Sequence, residues 1–156
     1  MNPKPHRGRI VLAAGVFDLL HYGHLRFLEE AKKAGGAGAK LIVVVARDKT
    51  VMERKGVKPV LPEDQRRILV EALKPVDEAV LGFEDFDIRG VLRIVKPSVV
   101  AVGYDQDDIY DEVKRFVEEE EPGIRIVRIG RFGDEELGSS TGIKRRVIEE
   151  WRRPLG

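Results

Sequence analysis

The chain lacks cysteine, so it can hold neither a disulfide bond nor a thiolate metal site. Long hydrophobic runs are absent as well: the longest strongly apolar stretch, residues 41–46, is far too short to cross a bilayer. The first nine residues contain no apolar core and do not form a secretory signal. Together these absences predict a soluble, cytoplasmic protein.

An excess of charge of one sign is also missing. The 28 basic and 27 acidic residues give a formal net charge of +1, although charged residues make up 35% of the chain. A general binder of nucleic acid or of anionic membranes needs a basic excess, so neither partner is expected. Any anion site must therefore be local and built from a few residues.

The 156 residues suit one domain with a real core, predicted to span residues 9–153 after a flexible tail at residues 1–8. Short apolar runs alternate with helical patterns, which predicts an α/β fold with a parallel sheet covered on both faces. The predicted strands are 10–14, 41–46, 79–81, 98–102 and 124–129. The predicted helices are 21–34, 62–73, 86–95 (capped by Asp85), 109–120 and 140–151. Residues 47–59 are predicted to form a polar loop.

Ligands of such sheets bind beyond the carboxyl ends of the strands. Gly15 ends the first predicted strand, and two of the three histidines, His21 and His24, follow within one four-residue window. At i and i+3 they share one face of a helix's first turn, where free backbone N–H groups and the helix dipole favour anions. Gly23 between them allows a phosphate or a backbone to approach closely. This setting favours a phosphate-binding pair over a surface histidine and a core histidine that are each locally hydrogen-bonded.

A zinc site is less favoured, because no third histidine or cysteine is near and the spacing is not i, i+4. A second candidate phosphate site is the start of the last predicted helix, where Ser139, Ser140 and Thr141 offer hydroxyl groups beside free N–H groups. A plain serine N-cap without a ligand explains the same residues equally well.

The segment Gly15-Val16-Phe17-Asp18-Leu19-Leu20-His21-Tyr22-Gly23-His24 resembles the G-x-F-D-x-x-H-x-G-H motif of the cytidylyltransferase-like nucleotidyltransferases. Residues 138–143 resemble the second phosphate motif of that family. The resemblance implies a single Rossmann-like, doubly wound parallel sheet of five strands. It implies nucleotidyl transfer, in which a phosphate monoester attacks the α-phosphorus of a nucleoside triphosphate, with His21 and His24 as the catalytic residues. The implied ATP-binding residues are Gly15, Val16, Phe17, Asp18, Gly23, Lys55, Lys58, Gly103, Asp105, Ser139, Ser140 and Thr141.

Some of these residues have a plain alternative. Lys55 and Lys58 are chosen because lysines in a glycine-flanked loop can swing inward, but a solvated charged loop is as good an explanation for either one. Asp105 could hold Mg²⁺ or a ribose, or belong to a solvated acidic turn. One of Arg66 and Arg67 could be a surface charge on a helix.

The chain departs from the cytidylyltransferases at Glu135 and Glu136, which stand where that group carries an arginine and a threonine. Arg128, Arg131 and Lys144 are the candidates to replace the arginine. Other stretches resemble archaeal FAD synthases, namely residues 45–48, 62–67, 71–77 and 102–106.

That likeness implies transfer of AMP from ATP to FMN, with Mg²⁺ or another divalent cation accompanying ATP, in a homodimer. The alternatives are a glycerol-3-phosphate cytidylyltransferase, another adenylyltransferase with a phosphate acceptor, or a non-catalytic nucleotide-binding regulator. The aromatic residues available to line an isoalloxazine pocket are Phe83, Phe86, Tyr104, Tyr110 and Phe132.

Overall fold

The computed structural model describes residues 1–5, 8–133 and 137–153. Its strands are β1 (Ile10–Gly15), β2 (Lys40–Val45), β3 (Glu78–Leu81), β4 (Val99–Gly103) and β5 (Arg125–Ile129). Its helices are α1 (Tyr22–Ala34), α2 (Asp48–Lys55), α3 (Glu63–Glu71), α4 (Ile88–Val95), α5 (Asp107–Glu119) and α6 (Ser140–Trp151). The five strands form one sheet in the order β3-β2-β1-β4-β5, with every neighbouring pair parallel. The predicted α/β fold class is confirmed.

Two apolar layers flank the sheet, because successive strand residues point to opposite faces. On one face Val11 and Ala13 of β1 share a buried cluster with Leu28 of α1 and Val70 of α3. On the other face Leu12 shares a cluster with residues of α4 and α5. The sheet is therefore doubly wound. The connections change face between β1 and β4, and in such sheets the crevice at that point is where ligands bind.

The helix α2 lies where the sequence predicted a polar loop, so that prediction is wrong. Asp48 stands in its first turn, and Gly56 in the left-handed conformation (φ 72°) ends it. Only Thr50 and Val51 of this helix are buried. A helix with so narrow a buried face lacks the apolar periodicity by which helices are identified in a sequence.

The start of α4 also differs from its prediction. The N-cap is Asp87 rather than Asp85, and its carboxylate accepts a hydrogen bond of 2.8 Å from the N–H of Gly90. The helix begins at Ile88, so Phe86 lies in the loop before it. The other elements match their predicted positions within two residues, including α3, which ends at Glu71 rather than at residue 73.

Residues 1–5, predicted to be part of a flexible tail, make contacts with the domain. Met1 packs against the second apolar cluster, and the N–H of Lys4 donates to the Glu78 carboxylate at 2.8 Å. Within the described ranges, no helix is both long and apolar enough to cross a membrane.

Candidate active site

The carboxyl ends of β1 and β4 are joined by one side chain, Gln106. Its Oε1 accepts from the N–H of Gly103 at 2.8 Å, and its Nε2 donates to the carbonyl of Ala14 at 3.0 Å. The amide thus bridges the two strands between which the connections change face. The Tyr104-Asp105-Gln106 stretch was recognised in the sequence only by its likeness to FAD synthases, and this bridging role was not predicted.

The turn between β1 and α1 is strained. Phe17 (φ 54°) and Leu19 (φ 52°) both adopt the left-handed conformation, which is rare for large side chains and concentrates at functional sites. The ring of Phe17 is buried against Gly15, where an added Cβ would lie 2.9 Å from its Cε2 atom. Two of the predicted ATP-binding residues therefore pack on each other and shape the turn. Val16 contributes its backbone carbonyl, which accepts from Arg66.

His21 and His24 form a stacked pair at the start of α1. Their ring centroids are 3.8 Å apart and the planes are inclined by 27°. His21 is the N-cap residue, and its N–H donates to Nδ1 of His24 at 3.4 Å. Because Nδ1 of His24 accepts, a neutral His24 carries its proton on Nε2, which makes Nε2 a donor. Nδ1 of His21 is buried and has no hydrogen-bond partner in the part of the chain that is described.

Gly23 makes this stacking possible. A Cβ at this position would lie 2.9 Å from Cε1 of His21 and 3.1 Å from the carbonyl oxygen of Phe132. A close approach at Gly23 was predicted for a phosphate or a backbone. In the structure the His21 ring and the Phe132 backbone occupy that space.

Both imidazoles favour the neutral state. Burial lowers the pKa of His21. Burial, followed by the nearby His21 and Lys55, lowers the pKa of His24 to about 3, against the opposing pull of Asp18. At neutral pH the pair therefore offers N–H donors without charge. A bound anion would favour the protonated forms, so the pair can gain positive charge where phosphate charge develops.

Asp18 is the residue that joins the elements of the site. It is 5% exposed, and its carboxylate accepts from the N–H groups of Val60 at 2.8 Å and Leu61 at 3.0 Å. Nζ of Lys144 on α6 lies 3.2 Å from the same carboxylate. Burial opposes ionisation, but these backbone N–H groups and Lys144 hold the pKa of Asp18 below its usual value. In the described part of the chain the carboxylate thus contacts Val60, Leu61 and Lys144, and its contact with ATP stays a prediction.

The start of α6 is docked on this same turn. The hydroxyl of Ser140 donates to the backbone carbonyl of Asp18. The Oγ of Ser139 accepts from the N–H of Gly142 at 3.1 Å, so the serine N-cap exists. Thr141 is exposed. The N-terminal turns of α1 and α6 are thus brought together around Asp18, as a site that holds one polyphosphate between two helix ends requires.

The other predicted residues lie around this centre. Lys55 is the exposed last residue of α2, and its charge acts on His24. Lys58 is exposed in the loop that follows α2, and Asp105 is exposed in the turn after β4. Gly103 ends β4 close to Asp105, whose Oδ1 would lie 3.3 Å from a Cβ on that glycine.

Among the candidates to replace the family's arginine, Lys144 is the one that reaches the β1–α1 turn. Arg128 instead binds the carbonyl of Tyr104 and the carboxylate of Asp107. Arg131 has its guanidinium carbon 5.8 Å from the ring centroid of Tyr104. Glu135 and Glu136 lie outside the described residues.

Arg66 is a central residue whose role was not foreseen in the sequence. Its side chain is completely buried. It donates to the carbonyls of Leu61 (3.0 Å), Val16 (2.6 Å) and Ala46 (2.8 Å) and to the carboxylate of Asp48 (2.6 Å). A buried arginine with these four hydrogen bonds fixes the ends of β1 and β2 relative to α3. The available signal was its spacing of four residues from the apolar Val70, which places both on the inward face of the helix.

Two surface hollows of about 510 and 440 Å³ lie beneath the N-terminal residues, and neither is lined by the histidines. The candidate site is instead identified by its convergent polar groups and helix ends.

Comparison with known proteins places these features in context. Residues 12–146, which include both helix starts, match the family model described as Cytidylyltransferase-like. The chain is 49% identical over 147 residues to the FAD synthase of Methanopyrus kandleri, covering 94% of this chain and 96% of that protein. It is 49% identical over 140 residues to the FAD synthase of Ferroglobus placidus, covering 88% of this chain and 87% of that protein.

A solved structure is similar as well. It is the lipopolysaccharide core biosynthesis protein from Thermoplasma volcanium GSS1, with a TM-score of 0.71 and 39% identity, covering 80% of this chain and 98% of that one. The resemblance inferred from the two motifs is therefore confirmed over most of the chain.

Proposed function

The chain belongs to the cytidylyltransferase-like family, and from that premise we propose that it transfers AMP from ATP to FMN, giving FAD and pyrophosphate. The observation that carries the proposal is the similarity to proteins named FAD synthase over nearly their whole length. The site is consistent with it, because two helix starts and a histidine pair converge where a polyphosphate would lie.

The nucleophile in this reaction needs little activation. A phosphate monoester has a second pKa of about 6, so the terminal phosphate of FMN is largely dianionic at pH 7. One of its oxygens forms a bond to the α-phosphorus of ATP, while the bond from that phosphorus to the α,β-bridging oxygen breaks and pyrophosphate leaves. The difficulty is the repulsion between anions and the charge that develops on the bridging oxygen. The protein must therefore supply positioned donors and cations.

The described side chains suit that task. Neutral His21 and His24 bind phosphate oxygens through N–H donors, and the negative charge of the triphosphate raises their pKa values towards the protonated state. Lys55 adds a positive charge on the His24 side. The free N–H groups of the first turns of α1 and α6 supply further donors. The ion pair between Asp18 and Lys144 holds α6 against the turn between β1 and α1.

A divalent cation is expected to enter with ATP. Among the described residues no group of three His, Asp or Glu side chains could hold a metal ion, and the Asp18 carboxylate is occupied by protein donors. We expect Mg²⁺ to be held mostly by phosphate oxygens and water, where it would neutralise phosphate charge. The homodimer and the cytoplasmic location expected from the sequence stay predictions.

The proposal is tested by product analysis. The protein is mixed with Mg²⁺ and either ATP or CTP, each with FMN, glycerol 3-phosphate or phosphopantetheine, and the products are separated by chromatography. We expect FAD from the pair ATP and FMN and no other product. CDP-glycerol would instead identify a cytidylyltransferase, and the absence of any product would favour a nucleotide-binding regulator or an acceptor outside this set.

A further inference from the structure

Five aromatic residues were named in the sequence as available to line an isoalloxazine pocket, and only two of them are well exposed to solvent. Phe83 and Tyr110 pack against the second apolar cluster, and Phe132 packs against the first. Phe86, by contrast, is 44% exposed, and Tyr104 is 42% exposed. An aromatic ring that is this exposed offers a face to another planar group.

The face of Phe86 carries a planar group already. The guanidinium carbon of Arg54, in the last turn of α2, lies 4.1 Å from the centroid of this ring, the separation of a close stack. The same guanidinium forms an ion pair with Asp108 in the first turn of α5. Arg54 thus reaches across from α2 to α5 and holds a planar, weakly hydrated group on Phe86. The contact between Arg131 and Tyr104 is looser, at 5.8 Å.

The loop that contains Phe86 is held in place by α2 and by Arg47, the residue that precedes α2. Arg47 donates to the carbonyl of Gly82 at 3.0 Å, and Nζ of Lys49 lies 2.6 Å from the carboxylate of Asp85. The contacts of Arg47 and Lys49 therefore hold the loop that carries Phe86 before any ligand is present. A pre-positioned ring loses little freedom when a ligand stacks on it, which favours affinity.

The end of α2 also links this ring to the phosphate site. Arg54 contacts Phe86 and Asp108, while the next residue, Lys55, lies near enough to His24 for its charge to lower that histidine's pKa. A ligand that spanned Phe86 and the His21–His24 pair would meet an aromatic face at one end and a cation with phosphate donors at the other. A phosphate monoester with a planar ring system has that distribution of groups.

We infer that Phe86 is the stacking platform for the isoalloxazine ring of FMN. The ring takes the face that the Arg54 guanidinium covers in this structure. Arg54, tethered through Asp108, then turns its N–H groups to the carbonyl oxygens of the ring. This assignment rests on the proposed function, because it names the acceptor's subsite within the same crevice.

The test measures the binding of FMN to the Phe86→Ala variant through the quenching of flavin fluorescence. Steady-state kinetics are measured on the same preparations. Loss of one aromatic stacking partner should raise the dissociation constant and the KM for FMN roughly 3- to 10-fold. The KM for ATP should stay unchanged, and Phe86→Tyr should restore FMN binding. Phe86 lies outside both apolar clusters and is 44% exposed, so its variants should fold.

The matched control is Trp151→Ala, which removes an aromatic ring that is 89% exposed at the end of α6. This control should bind FMN as the unaltered protein does. Unchanged FMN binding by Phe86→Ala would overturn the assignment, and so would weakened FMN binding by Tyr104→Ala alone. If the unaltered protein bound FMN but made no FAD, the proposed function would be contradicted. The effect of Phe86→Ala on FMN binding would still support or overturn the stacking assignment.

Discussion

Replacing Asp18 with asparagine should separate the elements that this carboxylate joins. Asparagine keeps one acceptor oxygen, but its NH₂ group faces the backbone N–H donors or Lys144. The variant therefore loses one charge-assisted hydrogen bond and the ion pair, and it leaves a lysine beside an uncharged group. We expect the free energy of unfolding to fall by about 2–4 kcal/mol. For a chain of this length the melting temperature should fall by roughly 4–16 °C.

The pH dependence of this loss gives the sharper test. The pKa of Asp18 in the folded state lies below its ordinary value of about 3.9. Its stabilising contribution is therefore fully present above about pH 5 and is lost as the pH falls through the folded-state pKa. Urea unfolding at pH 7, 5 and 3 should show a large difference between the unaltered protein and Asp18→Asn at the first two values and a smaller one at pH 3.

The control is Asp85→Asn, which removes the carboxylate of an exposed pair with Lys49. Surface pairs contribute little, so the urea midpoint of this control should stay unchanged. If Asp18→Asn unfolded at the same urea concentration as the unaltered protein at pH 7, the role of Asp18 as the joining residue would be refuted.

Further predictions concern the residues around this centre. Arg66→Lys keeps the charge, but a lysine cannot reach the three carbonyls and Asp48 together. In urea titrations the free energy of unfolding should therefore fall by about 3 kcal/mol or more. An unaltered urea midpoint would contradict the role given to the hydrogen bonds of Arg66. NMR titration of the ligand-free protein should find His24 neutral down to about pH 4, because its pKa is about 3. Bound ATP should raise the pH at which His24 is half protonated. Protonation of His24 near pH 6.5 without ligand would contradict the buried His21–His24 pair. Gly23→Ala should lower kcat while its urea midpoint changes little, because the added Cβ would displace the His21 ring. An unchanged kcat would show that the stacking of His21 on His24 is not needed for turnover.

Much of the sheet could be predicted because its strands are continuously apolar runs separated by helical patterns. Residues 41–46 illustrate this, since a strand buried on both faces has no polar alternation. The histidine pair was also recognisable, because a strand, a glycine and a helix start occur in one short segment. Such features can be predicted because the residues that form them are adjacent in the sequence.

The parts that escaped prediction depend on contacts between distant segments. Asp18 meets Val60 across 42 residues of sequence, and Arg66 meets Val16 across 50. A single sequence contains no local signal that these groups pair, so the protein partners of Asp18 were not predicted, and the sequence could not tell which of Arg66 and Arg67 is a surface charge. The helix α2 was missed for a different reason, because only Thr50 and Val51 face the interior.

The most direct test of the central claim is the turnover of His24→Ala with ATP, FMN and Mg²⁺. If the stacked pair stabilises the transferring phosphates, kcat should fall by roughly 10²–10³ while the urea midpoint changes little. FAD formation at a near-normal rate by a folded His24→Ala variant would contradict the account.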